Sequence, residues 1–324
     1  MIKLATIGTS SICESFIKAV KTTDRFVLEA AYSRSNVKAK AFAEKHGFKR
    51  AFSDLEEMAS DPHLDAVYIA SPNSLHYEQC KLFLKNKKHV ICEKPIVLRS
   101  SELKELQEIA AKNNVILMEA LISVHTGYAK EIKNAVSEIG EINSAEFIFC
   151  KISSRWNEYN EGKFINVFEH TMGGGALYDL GVYPVYAAVY LFGEPKDVVS
   201  ENLFDERGNN LSGYARLIYD GFEVKVSYSK SFDDLRVSKI IGENGVIDIG
   251  LISMFSSASL SDRTLSPEAE RTSFMAFEAN DFADYISGEK LESYKYFSDL
   301  AVKTIKVIEK INNEGEKLYE TRSC

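Results

Sequence analysis

Short apolar runs alternate with amphipathic segments through the first third of the chain. Residues 3–7, 26–32, 65–70, 89–92 and 115–119 are brief, rich in β-branched or aromatic side chains, and read as buried strands. Between them, 11–21, 37–46, 74–86 and 101–113 carry helical spacing. The first of these places Ile12, Phe16, Ala19 and Val20 on one face. Gly47 ends the second, and Ser53-Asp54-Leu55-Glu56 reads as a capping box that opens a short helix to about residue 60. Strands and helices alternating at this spacing predict βαβ units and a parallel sheet.

The rhythm changes near Ile122. One helix is expected over 127–139, then strands over 144–152, 198–204, 213–219, 223–228, 237–241 and 246–249. Asp220-Gly221 and Asn244-Gly245 lie between alternating runs and mark hairpins, so this sheet is mainly antiparallel. A helix over 176–192 interrupts the strands. It follows Gly173-Gly174-Gly175, where backbone can approach a ligand or a neighbouring element closely. Pro184 inside it predicts a kink or a local start. Asp179 and Tyr183, four apart, fall on one helical face. Helices over about 273–287 and 294–312 close the chain, the last packing through Leu300, Val302, Ile305, Val307, Ile308 and Ile311. The fold class is α/β: a doubly wound parallel sheet over 1–121, then an α+β domain with a large, mainly antiparallel sheet over 122–324.

Composition changes this picture little. The 324 residues are 45% hydrophobic and 27% charged, ordinary for a globular protein. The net charge of −8 argues against nucleic acid or an anionic membrane surface as a partner. No apolar run is long enough to span a bilayer, and the N-terminus reads as a strand and not as a signal peptide. The five cysteines, Cys13, Cys80, Cys92, Cys150 and Cys324, are scattered without a C-x-x-C pair. They fit a reducing, cytoplasmic setting and no structural zinc. The six histidines show no metal-ligand spacing, so no metal is expected.

The candidate chemistry lies at strand ends. In open α/β sheets, ligands bind at the carboxyl ends of the strands. The strand over 89–92 delivers Glu93-Lys94-Pro95 there, which makes Lys94 a candidate on position alone. After the first strand comes Gly8-Thr9-Ser10-Ser11-Ile12-Cys13. A dinucleotide fingerprint wants glycine at the first, third and sixth places, and only Gly8 meets it. Ser10 adds a Cβ where a pyrophosphate would approach, while Cys13 is small enough for close helix–strand packing. After the second strand stand Ser33 and Arg34, where NAD binders carry an acid. A hydroxyl and a guanidinium suit a 2′-phosphate, as in NADP; a solvated loop arginine is the plain alternative. Ser71-Pro72-Asn73 breaks the third strand of this reading, and His76 follows in the first helical turn, a place where packing or capping is the commoner role.

These words resemble the Gfo/Idh/MocA family (glucose–fructose oxidoreductase, inositol dehydrogenase, rhizopine catabolism). The matching runs are Tyr32-Ser33-Arg34, the stretch from Asp65 to Asn73 with His76, Glu93-Lys94-Pro95, Met118-Glu119-Ala120, and Gly173-Gly174-Gly175-Ala176-Leu177-Tyr178-Asp179-Leu180-Gly181-Val182-Tyr183. They span essentially the whole chain. The resemblance implies a Rossmann domain followed by a substrate and oligomerisation domain, and an NAD(P)-dependent oxidoreductase acting on CH–OH groups. It implies that Lys94 lies beside the nicotinamide and that Asp179 and Tyr183 complete the active site. A tyrosine at the last place is similar to the dihydrodiol and D-xylose dehydrogenase branch. NADP is the preferred cofactor, with NAD possible, held by Gly8, Thr9, Ser10, Ser11, Ile12, Ser33, Arg34, Ser71, Pro72, Asn73, His76, Glu93 and Lys94. The implied partners are a small carbohydrate-like substrate (sugar, polyol or dihydrodiol) and further copies of the chain, paired through the C-terminal sheet as a homodimer or homotetramer.

A tyrosine ordinarily ionises near pH 10, too high for a good base near neutrality, and an adjacent lysine ammonium favours its phenolate. The segment Leu121 to Gly127 departs from the family, which often carries an aromatic, an arginine and a His-Pro there. Substrate contacts are expected from His125, Arg155, Trp156 and His170. A surface ion pair is the alternative for Arg155, and core packing for Trp156, the single tryptophan. A sensor that binds dinucleotide without turnover is the alternative function. Lys94, Asp179 and Tyr183 standing together favour the enzyme.

Overall fold

Residues 1–267 and 274–319 are described by a computed structural model. The chain divides into two compact units. The first holds Met1–Val97, Ser101–Leu121 and a returning segment that ends at Asp299. Its strands are β1 (Ile2–Ile7), β2 (Phe26–Tyr32), β3 (Arg50–Phe52), β4 (Ala66–Ile69), β5 (His89–Glu93) and β6 (Leu117–Ala120). They form one parallel sheet in the order β3-β2-β1-β4-β5-β6. That order reverses between β1 and β4, so the crevice at the carboxyl ends of the strands opens there. β4 is buried throughout and β1 and β5 along most of their length, which is why they read as apolar runs.

The helices follow the spacing in the sequence. Gly47 caps helix Asn36–His46 in a left-handed conformation, φ 81°. The cap expected at Ser53 sits one residue later. Asp54 accepts from the Glu57 amide and opens helix Leu55–Ser60, the stronger acceptor taking the orphan donor. Helix Met275–Ile286, of the returning segment, packs on helix Ser11–Val20, and Arg25 pairs with Asp284 at 2.9 Å. Its expected start at Ser273 lies outside the described residues, as does Cys324.

The second unit carries a nine-stranded sheet in the order β14-β13-β12-β11-β7-β10-β9-β8-β15. Its strands are β7 (Ile142–Cys150), β8 (Asp197–Phe204), β9 (Asn210–Ile218), β10 (Glu223–Ser229), β11 (Ser238–Gly242), β12 (Gly245–Ile249), β13 (Ala258–Leu260), β14 (Arg263–Leu265) and β15 (Glu316–Tyr319). Both expected hairpins form, β9–β10 and β11–β12. Only β7–β10 and β8–β15 pair in parallel.

The expected helix over 176–192 is divided. Leu177–Gly181 winds as a π-turn, and an α-helix runs from Val182 to Phe192. Pro184 gives the reason. It lacks an amide hydrogen, and its ring would crowd the carbonyl four residues back, that of Leu180. The wider turn moves that carbonyl aside and leaves Pro184 in the first turn of the α-helix. Asp179 and Tyr183 therefore do not share one α-helical face by simple spacing. They flank the junction of two windings.

Candidate functional site

The candidate cofactor residues of the first unit gather at the carboxyl ends of β1, β2, β4 and β5. Gly8 leaves β1 at φ 115°, and a Cβ there would stand 2.6 Å from the Ala70 carbonyl at the end of β4. Only glycine lets the two strand ends come this close. Thr9 and Ser10 lie exposed before the helix and Ser11 opens it, also exposed; Ser10 caps it with no side-chain bond of its own. Ile12 is 38% exposed at its mouth. Cys13 is buried as expected, and behind it Phe16 stacks on Tyr68 with centroids 3.8 Å apart. A glycine-led loop entering a helix N-terminus fits a pyrophosphate, because the first-turn amides face it. Replacing Gly8 with alanine forces an unfavourable φ and a backbone clash. The expected result is a loss of roughly 1–3 kcal/mol of stability and weaker dinucleotide binding, read by thermal melting and NADPH fluorescence titration. Unchanged values of both would contradict this role.

Ser33 and the exposed Arg34 follow β2, where the Ser33 hydroxyl accepts from the Ser35 amide at 3.4 Å. Ser71, Pro72 and Asn73 follow β4, half-buried, with Ser71 donating to Gln79 at 2.6 Å. His76 is fully buried and faces two carbonyls, Nδ1 to Pro95 and Nε2 to Ser71, each at 2.9 Å. Both ring nitrogens are thus directed at backbone, and the histidine ties the end of β4 to the Lys94-Pro95 turn. Burial holds its pKa below the ordinary histidine value, against the pull of the two carbonyls. The Lys94–Pro95 peptide is cis. Glu93 accepts from the buried Tyr68 hydroxyl at 2.5 Å, and Glu119 accepts from the Ile96 amide at 2.9 Å.

One buried acid here went unnoticed in the sequence. Glu278 is 0% exposed, and neither of its carboxyl oxygens has a hydrogen-bond partner among the described residues. Burial first, then the neighbouring Glu93 and Asp281, push its pKa well above the usual carboxylate range. The folded chain keeps this carboxyl protonated, while the unfolded chain ionises it above about pH 4.3. Between those limits the unfolded state binds fewer protons, so stability falls as pH rises. Glu278→Gln removes that dependence. The variant should gain stability over the parent as pH is raised above about 4.3, by at most about 1.4 kcal/mol per pH unit. Urea unfolding across that range checks it; a parallel pair of pH curves would count against it.

In the second unit, Asp179 lies in the π-turn and Tyr183 in the helix that follows. Gly181, between them, could not carry a Cβ, which would come within 2.9 Å of the Tyr228 ring. The turn is thereby seated on β10. The Leu177 amide donates to Asn210 Oδ1 at 2.9 Å, fixing its other end. Tyr183 is half-buried and meets Phe149 edge-on, centroids 5.4 Å apart. The Asp179 carboxylate is 31% exposed and is paired with Lys230, whose side chain is only 3% exposed. Lys230 also escaped the sequence reading; a lysine after an alternating strand gives no sign of being buried.

The four expected substrate contacts are placed differently from one another. Arg155 is exposed, and its guanidinium pairs with Glu158, the surface alternative. Trp156 is half-buried against Tyr159 and Phe168, largely the packing alternative. His125 is buried at the end of helix Ile122–His125. His170 is exposed, and Asn209 Oδ1 accepts from its amide at 2.8 Å and lies 3.0 Å from its Nδ1. Asn209 Nδ2 donates to Tyr159 Oη at 2.9 Å, which orients the amide so that its Oδ1 faces His170 as an acceptor. Among the described residues no group of three or more His, Cys, Asp or Glu is placed to hold a metal, and no helix is long and apolar enough to cross a membrane.

Residues 2–121 match an oxidoreductase family with an NAD-binding Rossmann fold, and residues 130–248 match the GFO/IDH/MocA C-terminal domain. The chain is 37% identical over 323 residues to the scyllo-inositol 2-dehydrogenase (NADP(+)) IolU of Bacillus subtilis, covering 98% of both chains. It is 31% identical over 248 residues to a trans-1,2-dihydrobenzene-1,2-diol dehydrogenase of Xenopus laevis, covering 75% of this chain and 73% of the other. The fold is similar to KijD10, a 3-ketoreductase of Actinomadura kijaniata in complex with NADP and TDP-benzene. That match has a TM-score of 0.86 at 21% identity and covers 99% of each chain. The chain belongs to the GFO/IDH/MocA oxidoreductase family.

Proposed function

We propose that the protein is an NADP-dependent dehydrogenase that reversibly oxidises a secondary hydroxyl of a cyclic polyol of the inositol type. The observation that carries this is the 37% identity, along 98% of both chains, to an NADP(+)-dependent scyllo-inositol 2-dehydrogenase. Ser33 and Arg34, with no acid at the end of β2, support a 2′-phosphate there. Lys94 at the end of β5, with Asp179 and Tyr183 on the second unit, supplies the proton-handling groups.

NADP, held by the Gly8–Ile12 loop with Ser33 and Arg34, would supply the acceptor for hydride from the carbinol carbon and, when reduced, its donor. Tyr183 takes the hydroxyl proton as hydride leaves and gives it back to the carbonyl oxygen in reduction. The Lys94 ammonium stabilises the phenolate and the oxygen on which charge develops. Asp179 orients the substrate hydroxyl or Lys94. This chemistry requires Lys94, Asp179 and Tyr183 to reach the same substrate hydroxyl. Copies of the chain pair through the open face of the nine-stranded sheet, where Val199, Ile241 and Leu318 are exposed. The setting is cytoplasmic.

A screen of NADP⁺ reduction over inositols, aldoses and trans-dihydrodiols tests the proposal. Turnover is expected to be highest with an inositol and higher with NADP⁺ than with NAD⁺. Tight NADPH binding without turnover of any of these would favour a sensor.

A further inference from the structure

We propose that Lys230 is a positioning residue for the reaction: a buried ammonium that fixes the catalytic carboxylate of Asp179. This rests on the role given to Asp179 above. Lys230 directly follows β10, and its backbone is held on both sides. Its amide donates to the Leu211 carbonyl at 2.9 Å, and its carbonyl accepts from the Ser153 amide at 3.0 Å. From that fixed base the side chain runs inward with 3% exposure. Nζ donates to Asp179 Oδ2 and, at 2.9 Å, to the Val167 carbonyl, and stands 4.8 Å from the centre of the Phe168 ring.

A lysine buried this far persists as a cation only where anion and carbonyl partners replace its water. Here they are a carboxylate from the π-turn and a carbonyl from the segment before the three glycines. One ammonium therefore sets the position of Asp179 and of the chain at Val167 together. The Asp179 carboxylate, 31% exposed, is held from its buried side by this ammonium. A π-turn offers an unusual backbone position, and the ion pair converts it into one carboxylate orientation.

The test is a four-protein cycle on the full chain: parent, Lys230→Met, Asp179→Asn and the double variant. Each is assayed for NADP⁺-linked oxidation of scyllo-inositol and for NADPH binding by fluorescence. Misplacing a reacting group by an ångström costs about 10²-fold, so Lys230→Met should lower kcat by that order. NADPH affinity should stay within about twofold, as should the kcat of the double variant relative to Asp179→Asn, since the second change removes nothing further. Losses that multiply in the double variant, or a kcat kept in Lys230→Met, would overturn the proposal. If the parent oxidises no polyol, the functional assignment fails and the ion pair is still judged by melting temperature. Asp179→Asn strands a buried cation, so adding Lys230→Met should recover part of the melting temperature it loses. Additive losses would overturn the pairing itself.

Discussion

Lys94→Ala is expected to lower kcat by about 10³-fold or more, and Tyr183→Phe by a similar factor. NADPH binding should change by less than about fivefold in either variant, because both groups are assigned to the chemical step. Position is the physical basis. Lys94 leaves the buried strand β5 and is held by a turn that His76 braces through the Pro95 carbonyl. Its charge is therefore delivered to a fixed point at the strand ends. Tyr183 sits half-buried against Phe149, and in the proposed reaction it carries the proton that moves. In the proposed mechanism, removing the lysine takes away the charge that favours phenolate. Removing the hydroxyl takes away the proton carrier. Stopped-flow hydride transfer and NADPH titration on folded variants separate the two effects. Equal losses in kcat and in cofactor affinity would refute the division of roles.

Arg34→Ala should weaken NADPH binding about 10- to 100-fold while leaving NADH binding nearly unchanged. A hydrogen bond to a charged group contributes about 1.5–3 kcal/mol, and 1.4 kcal/mol is tenfold in affinity. The guanidinium is exposed after β2 and stands next to Ser33, so it can close on a 2′-phosphate without displacing any packing. Competitive titration of the two dinucleotides measures the preference. Parallel weakening of both would make Arg34 a general anion contact, and no change would return it to a solvated loop residue.

The parallel sheet was legible because its strands are buried on both faces and leave apolar runs bounded by glycine or polar breaks. The antiparallel sheet was legible through Asp220-Gly221 and Asn244-Gly245. What escaped were elements too short to show a period: β3, β13 and β14 have three residues each, and β15 has four. The π-turn escaped because Pro184 signals a break without saying how the backbone absorbs it. Lys94, Asp179 and Tyr183 were visible as words in the sequence. Their supports were not. Lys230 and Glu278 look like surface charges in sequence, and only the fold buries them. His76 illustrates the middle case: a packing histidine by position, whose two carbonyl partners come from loops that sequence does not bring together.

The central claim is that Lys94, Asp179 and Tyr183 act on one substrate hydroxyl. A crystal structure with NADP⁺ and scyllo-inositol bound tests it most directly. Lys94 Nζ and Tyr183 Oη are both expected within about 3.2 Å of the same substrate oxygen, with its carbon facing the nicotinamide. Asp179 would touch that hydroxyl or Lys94 while keeping its bond to Lys230. A bound polyol contacted by only one of Lys94 and Tyr183, or lying away from the nicotinamide, would contradict it.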